Sequence, residues 1–487
     1  MEATCENSIA ATVTPVVLTM PADLLTPLAV YLKLSATSTN SFLLESVEGG
    51  KSLARYSFIG ADPETIVRGT DIQIDVKDKN GRRNEQKGLI QYVRDHFDAR
   101  NANNDADLPA FIGGAIGYLG FDCCEWFEPS LKLGDDSGES ALMFFRSIVA
   151  FDHAKQVIKI ISLVFAGEAG DEEALEGLFA LANERNHSIQ KVLETTAATV
   201  PKTEPVSSSV TVNSNWERPD FEAAVSTIKE LINAGECYQA VLSQCFTRAT
   251  NASPVSIYRA LRSLNPSPYM FLLQFQDKAI VGASPEMLVR CEGQRLEYRP
   301  IAGTRARGKS TAEDEALAEE MRQDKKEVAE HQMLVDLGRN DLGRVAEYGS
   351  VKVDTLMSVE KYSHVQHLVS SLSATLRSGL DRFDALAACF PAGTVSGAPK
   401  VRAIEIIRDL EPTPRGVYAG AVGYFDYAGN MDTCIAIRTL VLENGVAKIQ
   451  AGAGIVADSV PELEFEETVN KARVLLKAVE IADSGAV

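Results

Sequence analysis

Two glutamate pairs, Glu327/Glu330 and Glu464/Glu467, lie far apart in the chain. Each pair has i, i+3 spacing within a helical pattern, so each sets two carboxylates on one helix face. Taken alone, either helix reads as a solvated charged surface. Brought together, four carboxylates would repel one another unless a hard cation stood between them. Carboxylate-only ligation suits Mg2+, which keeps some water and takes its remaining ligands from a substrate. This reading constrains the fold, because the helix around Glu330 must then meet the last helix of the chain.

The formal net charge of −19 argues against nucleic acid or an anionic membrane as partner, since both need a positive surface. A small anionic substrate would instead be held by a metal and a few Arg and Lys residues. The eight cysteines form no CxxC and no zinc-like spacing, and they sit in apolar or strand-like contexts. Reduced, buried thiols are expected, as in a cytoplasmic protein. The acidic start Met1-Glu2-Ala3-Thr4-Cys5-Glu6 suggests neither a secretory signal nor a transit peptide. No apolar run reaches spanning length.

Around residues 195–215 the sequence is rich in Ser, Thr and Pro and poor in large apolar residues, which is linker composition. We therefore expect an N-terminal regulatory domain over 1–200, a linker over 201–215 and a catalytic domain over 216–487. Gly113–Gly120 lacks the strand–GxGxxG–helix setting of a dinucleotide site, and close packing is expected of it. Further on, strands are expected at 238–248, 270–275, 279–283, 287–290 and 295–299, then one long helix from Thr311 to about Leu337. Two more helices and strands near 419–425, 433–442 and 447–455 follow. Ser459-Val460-Pro461-Glu462 reads as a capping box opening the final helix. Antiparallel strands interleaved with helices predict an α+β fold, a layered sandwich of antiparallel sheets flanked by helices.

In the final helix Val469, Ala472, Leu476 and Val479 form an apolar stripe, while Glu464, Glu467 and Lys471 form a separate polar ridge. Three glycine-containing segments lie around the two pairs: Pro300-Ile301-Ala302-Gly303-Thr304-Arg305, Gly393-Thr394-Val395-Ser396-Gly397-Ala398-Pro399-Lys400, and Ala451-Gly452-Ala453-Gly454. In the last, missing side chains would let backbone N–H groups approach a carboxylate. The second is no P-loop, because the GxxxxGK[ST] spacing is absent.

These segments, with Asp324-Lys325-Lys326-Glu327-Val328-Ala329-Glu330-His331 and Ile455-Val456-Ala457-Asp458-Ser459-Val460-Pro461-Glu462, resemble the chorismate-utilising enzymes. The likeness is greatest to the anthranilate synthase component I branch. The motifs run in order across roughly Gly235–Ala478, and Leu43-Leu44-Glu45-Ser46 and Arg55-Tyr56-Ser57 carry the resemblance into the N-terminal half. The resemblance implies Glu330 and Glu467 as direct Mg2+ ligands, with Glu327 and Glu464 in the same shell, and chorismate bound through its ring carboxylate. It implies Tyr418, Arg438, Gly452, Gly454, Lys471 and Gln239 at the substrate, and Glu286 as the acid that protonates the departing C4 hydroxyl. It also implies Thr304, His367 and Thr394 as catalytic positions; His367 reads as lying in an apolar helix.

Members that add water carry a lysine base at the position of Gln239, and those that form 4-amino-4-deoxychorismate carry a lysine nucleophile at that of Ala302. Neither lysine is present. Ammonia remains as nucleophile, giving anthranilate and pyruvate, with a stop at 2-amino-2-deoxyisochorismate as the alternative within enzymes. A non-catalytic chorismate or tryptophan sensor is the alternative outside them. The chain has no Gly-x-Cys-x-Gly elbow, so ammonia would come from a separate glutamine amidotransferase subunit, anthranilate synthase component II. The resemblance implies two large and two small subunits. It also implies a tryptophan feedback site built from Glu45, Ser46, Pro268, Tyr269, Met270, Val422, Gly423 and Tyr424.

Overall fold

Strands from the two halves of the sequence pair with one another, and neither half builds a sheet of its own. The computed structural model describes residues 12–46, 55–103, 105–131, 138–201, 210–361 and 365–486, without the side chains of Thr304 and Lys326. These residues form two antiparallel sheets, the α+β layers expected from the sequence.

The first sheet runs Val13–Pro21, Val157–Phe165, Ser147–Asp152, Tyr56–Ala61, Ser41–Glu45, Tyr269–Gln274, Lys278–Ser284, Thr439–Glu443, Val446–Ile455, Gln239–Ala249, Val212–Ser214. Gly397–Ala398 also pairs with Gln239–Ala249. The second runs Ile301–Ala306, Val365–Thr375, Arg295–Tyr298, Met287–Glu292, Met431–Ile435, Ala421–Asp426, Gly114–Leu119, Ser140–Phe145, Thr65–Gly69, Ile74–Asp78, Gly81–Glu85. Lys352–Lys361 lies on Val365–Thr375. The halves of the chain join where Met270 pairs with Glu45, and where Val422 pairs with Tyr118.

Between the sheets Phe42, Phe111, Phe145, Phe271 and Phe425 bury one apolar cluster. The outer face of the first sheet is covered by helices Pro27–Leu34, Glu172–Thr195, Pro254–Leu264 and Pro461–Asp483, whose Val30, Leu193, Leu261 and Val479 enter a second cluster. Covered on both faces, Val157–Phe165 is an almost unbroken apolar run. The exposed edge strand Gly81–Glu85 reads Gly-Arg-Arg-Asn-Glu, a charged rim that discourages further pairing. Gly114–Leu119 packs as a strand so tightly that a Cβ at Gly117 would meet Ala141 O at 1.9 Å.

Several local expectations need correction. Of the expected linker, 202–209 lie outside the described residues, and Val212–Ser214 is a strand on the edge of the first sheet. The long helix breaks at Asp324, which is extended (ψ 107°) and caps the N–H of Glu327 at 3.3 Å. Thr311–Gln323 and Lys325–Gly343 are thus two helices. His367 lies on the strand Val365–Thr375, not in a helix, and Tyr362, Ser363 and His364 lie outside the described residues. The final helix is capped at Val460 without a side-chain bond; the Ser459 hydroxyl accepts the Val456 N–H instead. The expected strand 433–442 is two strands in different sheets, Met431–Ile435 and Thr439–Glu443.

Candidate active site

The chain crosses between sheets at Pro285-Glu286, after Lys278–Ser284, and at Ala436–Arg438, after Met431–Ile435. Both crossings open onto one cavity of about 750 Å3, a volume in the usual range for small-molecule sites. The helix break at Asp324 puts Glu327 and Glu330 in the first two turns of Lys325–Gly343, just as Glu464 and Glu467 occupy the first turns of Pro461–Asp483. All four line this cavity, and helix N-termini favour negative charge there. Gln239, Glu286, His367, Thr394, Tyr418, Arg438, Gly452, Gly454 and Lys471 line it as well. Thr304 stands opposite His367 in the strand register, but its side chain is outside the described set.

Glu286 is buried, and loss of solvent pushes its carboxyl up to about 8, with the neighbouring Thr394 hydroxyl pulling weakly the other way. Its Oε1, like Thr394 Oγ1, has no hydrogen-bond partner of ordinary geometry. At neutral pH this carboxyl carries a proton and can give it away. His367 is held by burial below its usual pKa. Its Nδ1 lies 3.0 Å from Gly303 O, so Nδ1 carries the hydrogen and Nε2 is the ring's acceptor. Gly303 sits at a break in the register with φ +62°, where a Cβ would press on Glu327 at 3.1 Å. Only glycine turns that carbonyl toward His367 without strain.

Arg438 adopts φ +50°, a strained conformation for a residue with a side chain. Its Nη1 donates to Lys471 O at 3.0 Å. Lys471 Nζ in turn reaches Glu467 at 2.6 Å and Gly452 O at 2.9 Å. At the other pair Arg305, on the strand Ile301–Ala306, meets Glu327 at 3.0 Å and Asp324 at 3.2 Å. The glycines at 452 and 454 also make room within the cavity wall. A Cβ at 452 would lie 2.7 Å from the Tyr418 hydroxyl, and one at 454 would lie 2.5 Å from Gln239 Nε2. The missing side chains make room for two polar groups of the same wall. Burial drives the Tyr418 hydroxyl up to about 12, so it stays a donor.

Among the described residues, no three His, Cys, Asp or Glu side chains stand close enough together to hold an ion as they are. The donors nevertheless fit a hard divalent cation in kind: four carboxylates from two helices, with no thiol among the described residues that line the cavity. Sequence reasoning missed Arg415 and Glu411, a buried ion pair at 2.6 Å behind Tyr418. A charged residue at each end of the Pro-containing turn Glu411-Pro-Thr-Pro-Arg415 was the available signal.

A second, smaller cavity is lined by Glu45, Ser46, Pro268, Tyr269, Met270, Val422, Gly423 and Tyr424, the whole set expected of a tryptophan site. Glu45 is already bonded there to Tyr258 and, at 3.1 Å, to Arg262. Asp432 accepts from Arg290 at 2.6 Å and from Tyr269 at 3.1 Å. Ser46 Oγ is buried without a partner.

The sequence matches the family of chorismate binding enzymes over residues 39–477. It is 44% identical over 476 residues to anthranilate synthase component 1 of Acetivibrio thermocellus, covering 96% of this chain and 95% of that one. To the probable anthranilate synthase component 1 of Schizosaccharomyces pombe it is 45% identical over 472 residues, 96% and 93% of the two chains. The crystal structure of anthranilate synthase component I from Streptococcus pneumoniae TIGR4 superposes with a TM-score of 0.74 at 34% identity, over 94% of this chain and 98% of that one. The menaquinone-specific isochorismate synthase of Escherichia coli shares the fold with a TM-score of 0.70 at 20% identity, over 96% and 95%.

Proposed function

The chain belongs to the chorismate binding enzymes, and on that premise we propose that it converts chorismate and ammonia to anthranilate, pyruvate and water. The observation that carries this reading is Glu286, a buried carboxyl that holds its proton to about pH 8 and faces the same cavity as both glutamate pairs. Glu330 and Glu467, with Glu327 and Glu464, would hold Mg2+, which when bound neutralises the ring carboxylate of the substrate and withdraws electrons from it. Lys471, Arg438, Tyr418 and Gln239, with the backbone at Gly452 and Gly454, would hold the substrate, including its enolpyruvyl carboxylate; arginine suits that task by its planar fork.

Ammonia attacks C2, the two ring double bonds shift from C1=C2 and C5=C6 to C1=C6 and C4=C5, and the C4–O bond breaks as Glu286 passes its proton to the hydroxyl, which leaves as water while the new ammonium group gives up a proton to solvent. His367, a neutral imidazole whose Nε2 is the accepting atom, is the base for the C2 proton as the C3–O bond breaks, and the enolpyruvyl group leaves as an enolate that takes up a proton at its methylene carbon to become pyruvate. Thr394 sits beside Glu286, and Thr304 stays in the proposed set through its place opposite His367. An amide at Gln239 cannot deprotonate water and Ala302 offers no amine, which supports ammonia as the nucleophile.

The relatives are named component 1, and the proposal includes a component II amidotransferase as the ammonia source, with two subunits of each kind. Tryptophan is the proposed occupant of the smaller cavity and would inhibit by favouring a conformation that binds chorismate poorly. No helix among the described residues is long and apolar enough to cross a membrane. A cytoplasmic location is proposed on the seven described cysteines, which are unbridged and mostly buried. The pure chain, given chorismate and Mg2+, should release anthranilate and pyruvate with ammonium salts and nothing with glutamine. Glutamine-driven turnover by the lone chain, or chorismate left unconsumed, would refute the reading.

A further inference from the structure

We propose that Arg415, paired with Glu411, is a positioning residue that sets the Thr394 and Tyr418 walls of the active cavity against the strand carrying Gln239. The inference rests on the chorismate reading and extends it to a group that touches no substrate. Both side chains are buried, 2% and 4% exposed, and the pair lies off the helix that ends at Leu410. Arg415 donates to Glu411 through Nε at 2.9 Å and Nη2 at 2.6 Å. Its remaining donors leave the pair: Nη1 to Val395 O at 2.7 Å, and Nη2 to Val241 O at 2.6 Å.

Those two carbonyls belong to different walls. Val395 follows Thr394, the hydroxyl beside Glu286, while Val241 lies two residues beyond Gln239. The guanidinium also stands over the Tyr418 ring at 5.5 Å and the Phe121 ring at 4.5 Å. Glu411 completes the tie by accepting the Ser243 N–H at 2.8 Å and its hydroxyl at 2.7 Å. Ser243 Oγ in turn accepts from Gln450, another cavity residue, at 2.8 Å. One planar cation thus fixes the spacing of three walls. Lysine, a point charge with no fixed fork, cannot bond both carbonyls and the carboxylate in the same plane.

A purely structural pair would cost stability and leave each folded molecule fully active. A positioning pair predicts more. In Arg415→Lys, kcat per folded molecule with chorismate, Mg2+ and ammonium should fall at least about thirtyfold, while KM for chorismate moves less than about threefold. Because Thr394 borders the buried Glu286 carboxyl in the same cavity, its displacement should also shift the alkaline limb of the kcat profile. Glu411→Gln keeps the shape but weakens the grip on Arg415, and should show both changes in smaller degree should the lysine variant not fold. Unchanged kcat and an unchanged limb in either folded variant would overturn the proposal. Wild-type chain that makes no anthranilate would instead sink the chorismate reading, so the two failures are distinct.

Discussion

In the larger cavity most of the proposed reactive and metal-holding side chains stand where the backbone leaves its ladders, His367 opposite Thr304 excepted, whereas the smaller cavity is walled largely by residues still in register. Glu286 and Arg438 occupy the crossings between sheets, and the carboxylate pairs open two helices. Met270 opposite Glu45, Val422 opposite Cys434 and Tyr424 opposite Asp432 are ordinary cross-strand partners. The charged contacts of the larger cavity, Arg305 on Glu327 and Lys471 on Glu467, are the ones that a cation and a substrate carboxylate would replace under the proposed function. Those of the smaller cavity, Arg290 and Tyr269 on Asp432, lock its walls instead. Chemistry is expected where the backbone is released from pairing, and recognition where pairing fixes the shape.

The largest effect should come from Glu286→Gln, which removes the proton donor and should lower kcat about a thousandfold. Stability should move the other way. The folded carboxyl holds its proton to about pH 8 while the unfolded one releases it near 4.5. The folded state therefore binds more protons across that window and loses stability as pH rises through it. The amide escapes that loss, so urea unfolding at pH 8 should show the variant a few kcal/mol more stable. Equal stability there, with activity lost, would mean the site is not dry. Glu467→Gln should raise the Mg2+ concentration for half-maximal activity at least about tenfold, a loss isothermal titration with Mg2+ alone would also record. Lys471→Met should lower kcat/KM for chorismate by about 10- to 100-fold through one lost charged hydrogen bond. The smallest effect belongs to the smaller cavity. Ser46→Ala should weaken tryptophan inhibition about fivefold and leave chorismate kinetics in the absence of tryptophan within twofold. A shift of chorismate kinetics as large as that of inhibition would erase the distinction between the cavities.

Much of this arrangement was legible in the sequence, because side-chain chemistry and short-range periodicity are local. The glutamate pairs, the glycine segments and the antiparallel runs each announce themselves within a dozen residues. Three features do not. The break at Asp324 interrupts an unbroken helical pattern, and only the cap it gives Glu327 reveals why the first pair sits at a helix start. Lys352–Lys361 is largely exposed, so no alternating pattern marks it as the strand that flanks His367. The change of sheet between Ile435 and Thr439 leaves the apolar run intact, and the left-handed Arg438 at its centre cannot be read from residue type. Glycines 452 and 454 could be singled out from the sequence, yet the room they make for Tyr418 and Gln239 depends on contacts from distant strands.

The central claim is that a protonated Glu286 in the larger cavity releases the C4 hydroxyl of chorismate. The most direct test is the pH dependence of kcat at saturating chorismate, Mg2+ and ammonia, for the wild-type chain and for Glu286→Gln. The account predicts that wild-type kcat falls about tenfold per pH unit above about 8, where the carboxyl loses its proton, and that the residual activity of the variant shows no such limb. A wild-type profile still flat at pH 10, or a variant that keeps the alkaline limb, would contradict it.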